Sequence, residues 1–234
     1  MKEKILFVTF TNSGYVKFTN NLLESIKTNK IDINLKIFAI DDESFQYFEK
    51  IHDNVERYYQ EEFSTQLIHQ KEDNFGSLML IKFDIIYRSL LENNFVGYID
   101  GDIVIKKNID EILLPIVKDL DILFQNDKRP SKPLLINVCA GFMIINSNKK
   151  TQKFFKPSDK LNKKFLKYKT HDQTYINRSL SKFKYKMLPL DAFPNGPHFY
   201  SNFENLDPYI VHFNYLLGEK KEESMKNHKE WYLT

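Results

Sequence analysis

Lys4-Ile5-Leu6-Phe7-Val8-Thr9-Phe10 is a short apolar run closed by the polar cluster Thr11-Asn12-Ser13-Gly14. A run of that length, bounded by turn-forming residues, reads as a buried strand. Downstream, Phe18, Leu22, Leu23 and Ile26 fall on one stripe at helical spacing, which predicts a helix over Val16–Ile26. Ile33–Ile40 reads as a second strand, and Asp41-Asp42-Glu43 behind it are residue types that cap and open another helix. Strand, helix and strand within some forty residues form a βαβ unit, which implies a parallel sheet.

The same signals continue outward. An amphipathic helix is predicted over Ser77–Leu91, with a fully apolar strand Phe95–Ile99 behind it. Leu120–Gln125, Val138–Asn146, Tyr185–Leu188 and Tyr209–Phe213 read as further strands. Thr170–Leu180 reads as a helix, and a last helix falls near Glu222–Glu230. The lysine-rich stretch from Lys156 to Lys169 is expected to be a mobile loop. With no internal repeat and no low-complexity linker, residues 1–234 read as a single α/β domain.

Composition narrows the function. The 234 residues carry 34 basic and 31 acidic side chains, a formal charge of +3, which is too balanced to argue for nucleic acid as a partner. Lysines do thicken at Lys160, Lys163, Lys164, Lys167 and Lys169, as a solvated face or as contacts to an anionic surface or acidic acceptor. The single cysteine, Cys139, excludes an internal disulfide framework and sits in an apolar run as a buried thiol. No apolar stretch approaches the length of a transmembrane segment and no signal peptide is recognised, so the expectation is a soluble, cytoplasmic protein.

The chemistry concentrates in Gly97-Tyr98-Ile99-Asp100-Gly101-Asp102-Ile103-Val104-Ile105. Two carboxylates leave the end of a buried strand, where open parallel sheets bind their ligands. Gly101 between them lets the backbone turn without an obstructing side chain. Like charges so close repel unless a cation lies between them, and a hard divalent ion accepts carboxylate and phosphate oxygens together. His212, at the end of Tyr209–Phe213, is a third ligand delivered at a strand end or else a core histidine. Imidazole with two carboxylates suits Mn²⁺ better than Mg²⁺.

The order of these motifs resembles the nucleotide-diphospho-sugar transferase family. These are retaining glycosyltransferases with the glycosyltransferase-A (Rossmann-like) fold, related to plant α-xylosyltransferases and more distantly to glycogenin-like enzymes. The matching pieces are Phe7 to Asn12, Ala39-Ile40-Asp41, Lys82, Asp100-Gly101-Asp102, Cys139-Ala140-Gly141-Phe142, Asp172-Gln173 and His212-Phe213-Asn214, then Gly218, Lys221 and Trp231.

The resemblance implies a mostly parallel sheet flanked by helices, with a nucleotide-binding half about 1–105 and an acceptor-binding half about 106–234. It implies that Asp100, Asp102 and His212 hold Mn²⁺ or Mg²⁺, with Asp100 shared between metal and donor. Thr9, Thr11 and Asp41 would line the base and ribose, Lys82 and Lys221 would neutralise donor charge, and Gly141 would let the sugar or acceptor approach the backbone. Asp172 with Gln173 would face the reacting carbon. The donor implied is a nucleotide-diphosphate sugar, with uridine as the base, and the acceptor a glycan, protein or other hydroxyl-bearing molecule.

Several of these residues have plainer readings. Asp41 also fits a helix cap, Lys82 a solvated helix position and Asp172 an N-cap. Trp231 fits a packing anchor, and His198 in the turn-rich stretch 191–198 a candidate acceptor contact. Whether Lys220 or Lys221 reaches the diphosphate is open. The segment Gly218–Trp231 is expected to close over the donor, or else to be a docked tail. A phosphatase would place Asp-x-Asp-Gly-Thr after the first strand, and a sugar-nucleotide pyrophosphorylase a glycine-rich basic loop there; neither is present. A carbohydrate- or nucleotide-sugar-binding protein of the same fold without turnover is the alternative function.

Overall fold

A computed structural model describes residues 3–58, 74–128 and 136–233 of the chain. The strands are β1 (Leu6–Thr11), β2 (Asn34–Ala39), β3 (Val55–Arg57), β4 (Phe95–Ile99), β5 (Ile103–Ile105), β6 (Ile122–Asn126), β7 (Val138–Asn146), β8 (Tyr185–Met187) and β9 (Ile210–His212). The helices are α1 (Val16–Thr28), α2 (Asp42–Phe48), α3 (Asn74–Glu92), α4 (Asp110–Val117), α5 (Lys149–Phe155), α6 (Asp159–Asn162), α7 (Asp172–Asn177), α8 (Gly196–Asn202) and α9 (Gly218–Asn227).

Among the described residues a seven-stranded sheet runs β3-β2-β1-β4-β7-β6-β8. The pairs β3–β2, β2–β1, β1–β4 and β6–β8 are parallel, and β7 is antiparallel to both β4 and β6. The mostly parallel sheet expected from sequence is therefore present, interrupted by one reversed strand. That reversal has a consequence. The carboxyl ends of β4 and β6 and the amino end of β7 all meet at one edge, so Asp100, Asp127 and Cys139–Gly141 become neighbours.

Side chains alternate between the two faces. Val8 and Tyr98 point to one core with Phe83, Phe124 and Met143, under α3 and α5. Phe7 and Ile99 point to the other with Leu22, Ile37, Leu113 and Phe142, under α1 and α4. Both faces are covered, as a sheet with crossover helices requires.

A separate two-stranded sheet, β5 with β9, pairs Ile103 with His212. Beneath it Phe18, Val104, Phe199, Phe213 and Met225 form a third core, with Trp231 packed edge-on to Phe18 at 6.1 Å between ring centroids.

The stretch expected to be a mobile loop is helical. α6 continues into a π-helical turn over Lys163–Lys167, and Leu161 and Phe165 are buried, with Phe165 edge-on to Phe83 at 5.1 Å. Two apolar side chains four residues apart anchor it, and the flanking lysines mask that spacing. The turn-rich stretch 191–198 likewise opens α8. Asn195 caps it by accepting from the His198 N–H at 3.0 Å, and Pro197 sits in its first turn.

Candidate active site

The pairing of β4 with β7 sets the first half of the site. Ile99 lies opposite Phe142, and the Asp100 N–H donates to the Gly141 carbonyl at 2.8 Å, which holds Asp100 beside Gly141. The small sheet sets the second half. His212 lies opposite Ile103, and the Phe213 N–H donates to the Asp102 carbonyl at 3.1 Å. The His212 Nε2 then stands 3.3 Å from Asp102 Oδ1 and 3.8 Å from Asp100 Oδ2. One ligand atom from each of Asp100, Asp102 and His212 lies within 4.8 Å of the others.

This geometry fits a divalent cation on three grounds. Among the described residues Asp102 Oδ1, buried beside the His212 Nε2, makes no hydrogen bond, an arrangement that normally costs about 1–3 kcal/mol or more. Carboxylate oxygens of Asp100 and Asp102 within 4.8 Å of one another repel by about 3 kcal/mol or more at an effective dielectric near 20, which a cation between them reverses. A Cβ on Gly141 would strike the Asp100 carboxylate and the His212 ring, so glycine keeps that space open.

Charge around the trio is arranged in two arms. On one, Tyr98 donates its hydroxyl to Asp100 Oδ1 at 2.8 Å, and the buried Lys82 Nζ lies 3.7 Å from the same oxygen and 2.8 Å from Asp172 Oδ2. Burial works against a charged Lys82, but Asp100 and Asp172 outweigh it and hold its pKa above the usual value. Burial and then Asp100 push the Tyr98 phenol well up. On the other arm, Lys221 is paired with Asp102 and donates to the Tyr15 hydroxyl at 2.8 Å. Burial would raise the Asp102 pKa, yet Lys221 and His212 hold it far below the usual carboxylate range. Burial would lower the His212 pKa, yet Cys139 first and then Asp102 carry it well above the usual value. Lys221 is turned inward while Lys220 is exposed, so only Lys221 belongs to the site.

A cavity of about 1100 Å³ collects most of the residues expected from sequence: Lys82, Asp100, Asp102, Gly141, Asp172, Gln173, His212 and Lys221 all line it. Asp172 opens α7 without capping it. Its Oδ1 accepts from the Gln173 N–H at 2.7 Å and its other oxygen holds Lys82. Gln173 Oε1 accepts from the Ala140 N–H at 3.4 Å, and Nε2 donates to Asp127 Oδ2 at 2.8 Å.

Three expected residues do not line the cavity. Thr9 and Thr11 are buried within β1; among the described residues the Thr9 hydroxyl has no hydrogen-bond partner, and the Thr11 hydroxyl engages Thr19 at 3.1 Å. Asp41 caps α2. Its two oxygens accept from the Ser44 N–H at 2.8 Å and the Ser13 N–H at 2.7 Å, and despite burial those bonds lower its pKa. His198 pairs with Asp191 at 2.8 Å and also lies off the cavity.

Asp127 is the main residue that sequence reasoning missed. This buried carboxylate accepts from Asn137 at 2.8 Å, Gln173 at 2.8 Å, Asn195 at 3.1 Å, Asn214 at 3.3 Å and the Tyr215 hydroxyl. The signal was available: Gln125-Asn126-Asp127 is a polar cluster at the carboxyl end of an apolar strand. Tyr15 and Tyr98 carried no such signal, because an aromatic beside an apolar run reads as core.

Comparison with known proteins agrees with this geometry. The model of a nucleotide-diphospho-sugar transferase family matches residues 31–225, and the chain belongs to that family of glycosyltransferases. It is 24% identical over 290 aligned residues to a UDP-galactose:fucoside alpha-3-galactosyltransferase of Dictyostelium discoideum. That alignment takes in all of this chain and 44% of the relative, so the chain spans under half of that relative's length.

Among solved structures, the galactosyltransferase LgtC, crystallised with donor and acceptor sugar analogues, superposes with a TM-score of 0.61 at 10% identity. The match covers 97% of this chain and 95% of LgtC. The glycosyltransferase GlyE of Streptococcus pneumoniae gives a TM-score of 0.58 at 14% identity, over 100% of this chain and 61% of GlyE. Both similarities are of fold, and the fold is the glycosyltransferase-A type.

Proposed function

We propose that the protein transfers a sugar from a UDP-sugar to a glycan or other hydroxyl acceptor, with retention, in a reaction that depends on a divalent cation. The observation that carries this reading is the convergence of Asp100, Asp102 and His212 in a cavity large enough for a nucleotide sugar, with a buried Asp102 oxygen that makes no hydrogen bond among the described residues. The donor assignment is supported by the family and by the UDP-galactose in the relative's name. Retention and Mn²⁺ as the preferred ion over Mg²⁺ rest on the family resemblance and on the imidazole among the ligands.

Asp100, Asp102 and His212 would hold the cation, which would supply positive charge against the charge growing on the diphosphate as the glycosidic bond breaks. The chain's own residues supply the rest. Lys221, held by Asp102 and Tyr15, is the cation of the second arm and stabilises the leaving diphosphate. Lys82 compensates Asp172, so that carboxylate is a fixed negative charge beside the sugar rather than a free one. The Gln173 side chain, oriented by Asp127 and the Ala140 N–H, presents its amide to the same space, where an oxocarbenium-like carbon needs an oxygen on its face.

The base and ribose lie toward the carboxyl ends of β1 and β2. There the Thr9 side chain is buried, Thr11 is engaged with Thr19, and Asp41 caps α2. On this reading residues up to about 105 form the donor half and the remainder the acceptor half.

The test is a thermal-shift panel of UDP-galactose, UDP-glucose and UDP-xylose with and without Mn²⁺, followed by measurement of UDP release. A ligand at about 100 times its dissociation constant adds about 2.7 kcal/mol. Stabilisation without UDP release in the presence of acceptors would point to binding without turnover. No stabilisation by any nucleotide sugar would remove the reading.

A further inference from the structure

Gln125 is fully buried on β6 and offers no surface to solvent. Its Nε2 donates to two backbone carbonyls, Pro194 at 2.9 Å and Phe193 at 3.3 Å. Carbonyl oxygens only accept, so the amide nitrogen must face them, and the Oε1 is thereby fixed toward His212 Nδ1 at 2.8 Å. An amide oxygen also only accepts. The His212 Nδ1 must therefore carry a hydrogen, which leaves Nε2 to face Asp100 and Asp102. The Pro194 carbonyl additionally accepts from the His212 backbone N–H at 3.3 Å, so one turn clamps both residues in place.

A competitor stands close by. Cys139 Sγ lies 3.6 Å from His212 Nδ1, and its sulfur accepts from the Gly141 N–H at 3.3 Å. Cys139 is a free, buried cysteine, and a thiol S–H is a weak donor. Without the Gln125 oxygen, that S–H is the partner left for Nδ1, as a donor. The ring hydrogen would then sit on Nε2, between the imidazole and Asp102.

We propose that Gln125 is a positioning residue that sets the His212 tautomer, so that Nε2 rather than Nδ1 is the nitrogen offered to a divalent cation. The inference rests on the metal reading above, and a hydrogen bond to the far nitrogen of a ligating histidine fixes ring orientation and ligand basicity in metal sites generally.

Two readouts test it. In metal-free protein labelled with ¹⁵N-histidine, recorded where the imidazole is neutral, two-bond ¹H–¹⁵N correlations show which ring nitrogen is bare. The expected result is Nδ1–H with bare Nε2 in the wild type, and a shift of the hydrogen to Nε2 in Gln125→Met. Free Mn²⁺ followed by electron paramagnetic resonance in the presence of UDP should show a loss of affinity of about 10–100-fold in Gln125→Met. Gln125→Glu keeps an acceptor opposite Nδ1 but loses the donor to the Pro194 and Phe193 carbonyls, and should retain the wild-type tautomer with a smaller loss of affinity than Gln125→Met.

A wild-type ring protonated on Nε2 would overturn the proposal. So would a Gln125→Met protein with unchanged tautomer and affinity, or equal losses in the Met and Glu variants. Should Gln125→Met fail to fold, the wild-type spectrum and the Glu variant decide. If the wild type binds no Mn²⁺, the metal reading falls, while the tautomer measurement still decides the role of Gln125.

Discussion

The large sheet and the small sheet each hold half of the site, and they hold it differently. The seven-stranded sheet delivers Asp100, whose side chain remains 36% exposed and is contacted by Tyr98 and Lys82. The two-stranded sheet delivers His212 and backs Asp102, whose side chain is only 5% exposed and is paired with Lys221. The exposed carboxylate can share a ligand with solvent and substrate. The buried one cannot remain charged without its partners, because desolvation of a lone carboxylate is too costly. The small sheet is therefore the half on which the site depends most.

That asymmetry is open to direct test. Asp102→Asn should reduce Mn²⁺-supported transfer by about 10³-fold or more, against about 10²-fold for Asp100→Asn, as read by UDP release. Equal losses would show that the two arms are equivalent. His212→Ala should come next, with a loss of about 10²-fold in Mn²⁺-supported rate. Its melting temperature should fall only slightly, at about 2–4 °C per kcal/mol for a chain of this size. A large fall in melting temperature with metal dependence intact would instead make His212 a core residue.

How much of this was legible follows the same division. The longer strands of the large sheet show their periodicity, and β4, β7 and the βαβ unit at the start of the chain are read nearly residue for residue, whereas the three-residue edge strand β3 was not read at all. β5 is a three-residue strand directly after Asp102, too short to separate from the motif it follows, so the pairing that brings His212 to Asp102 had no sequence signal of its own. The Asp-Gly-Asp and His212 were legible as chemistry, because carboxylates and imidazole at strand ends are unusual. Asp127 and Gln125 were passed over as the polar end of β6. Their roles depend on β7 running antiparallel between β4 and β6, which alternation of apolar residues does not reveal. α6 was hidden for the opposite reason, since surface lysines obscure the two side chains that bury it.

A smaller effect is expected at the far edge of the large sheet, where the site plays no part. Asp121 accepts from Asn148 at 3.0 Å, Lys150 at 2.5 Å and the Lys184 N–H at 2.8 Å, tying β6 to α5 and β8. Burial opposes its charge, and these bonds hold its pKa below the ordinary 3.8. A depressed carboxylate pKa stabilises the fold above its unfolded-state value, and that stabilisation is lost as pH falls through the folded-state value. Asp121→Ala should cost about 1–3 kcal/mol near neutrality. The gap from wild type, measured by denaturant unfolding, should begin to narrow as pH falls below about 3.8 and close only below the lower folded-state value. A gap that persists at pH 2 would mean that packing, not charge, is lost.

The smallest expected change concerns α9. Its tail is docked, with Asn21 donating to the Glu230 carbonyl at 3.0 Å and accepting from the Tyr232 N–H at 2.6 Å, while Gly218 opens the helix at φ +52°. If residues 218–226 tighten over a bound donor, cleavage after Lys220 or Lys226 should slow when UDP and Mn²⁺ are added. Identical cleavage rates would restrict the segment to a permanent anchor and leave the donor site untouched.

The central claim is that a cation joins Asp100, Asp102 and His212 to a nucleoside diphosphate. Calorimetric titration of UDP into the protein in Mn²⁺ and again in EDTA tests it most directly. Two carboxylates facing an anionic diphosphate repel it, so binding should be tight in Mn²⁺ and weakened by at least about tenfold, or about 1.4 kcal/mol, in EDTA. Equal affinity in the two buffers would contradict a metal-centred site.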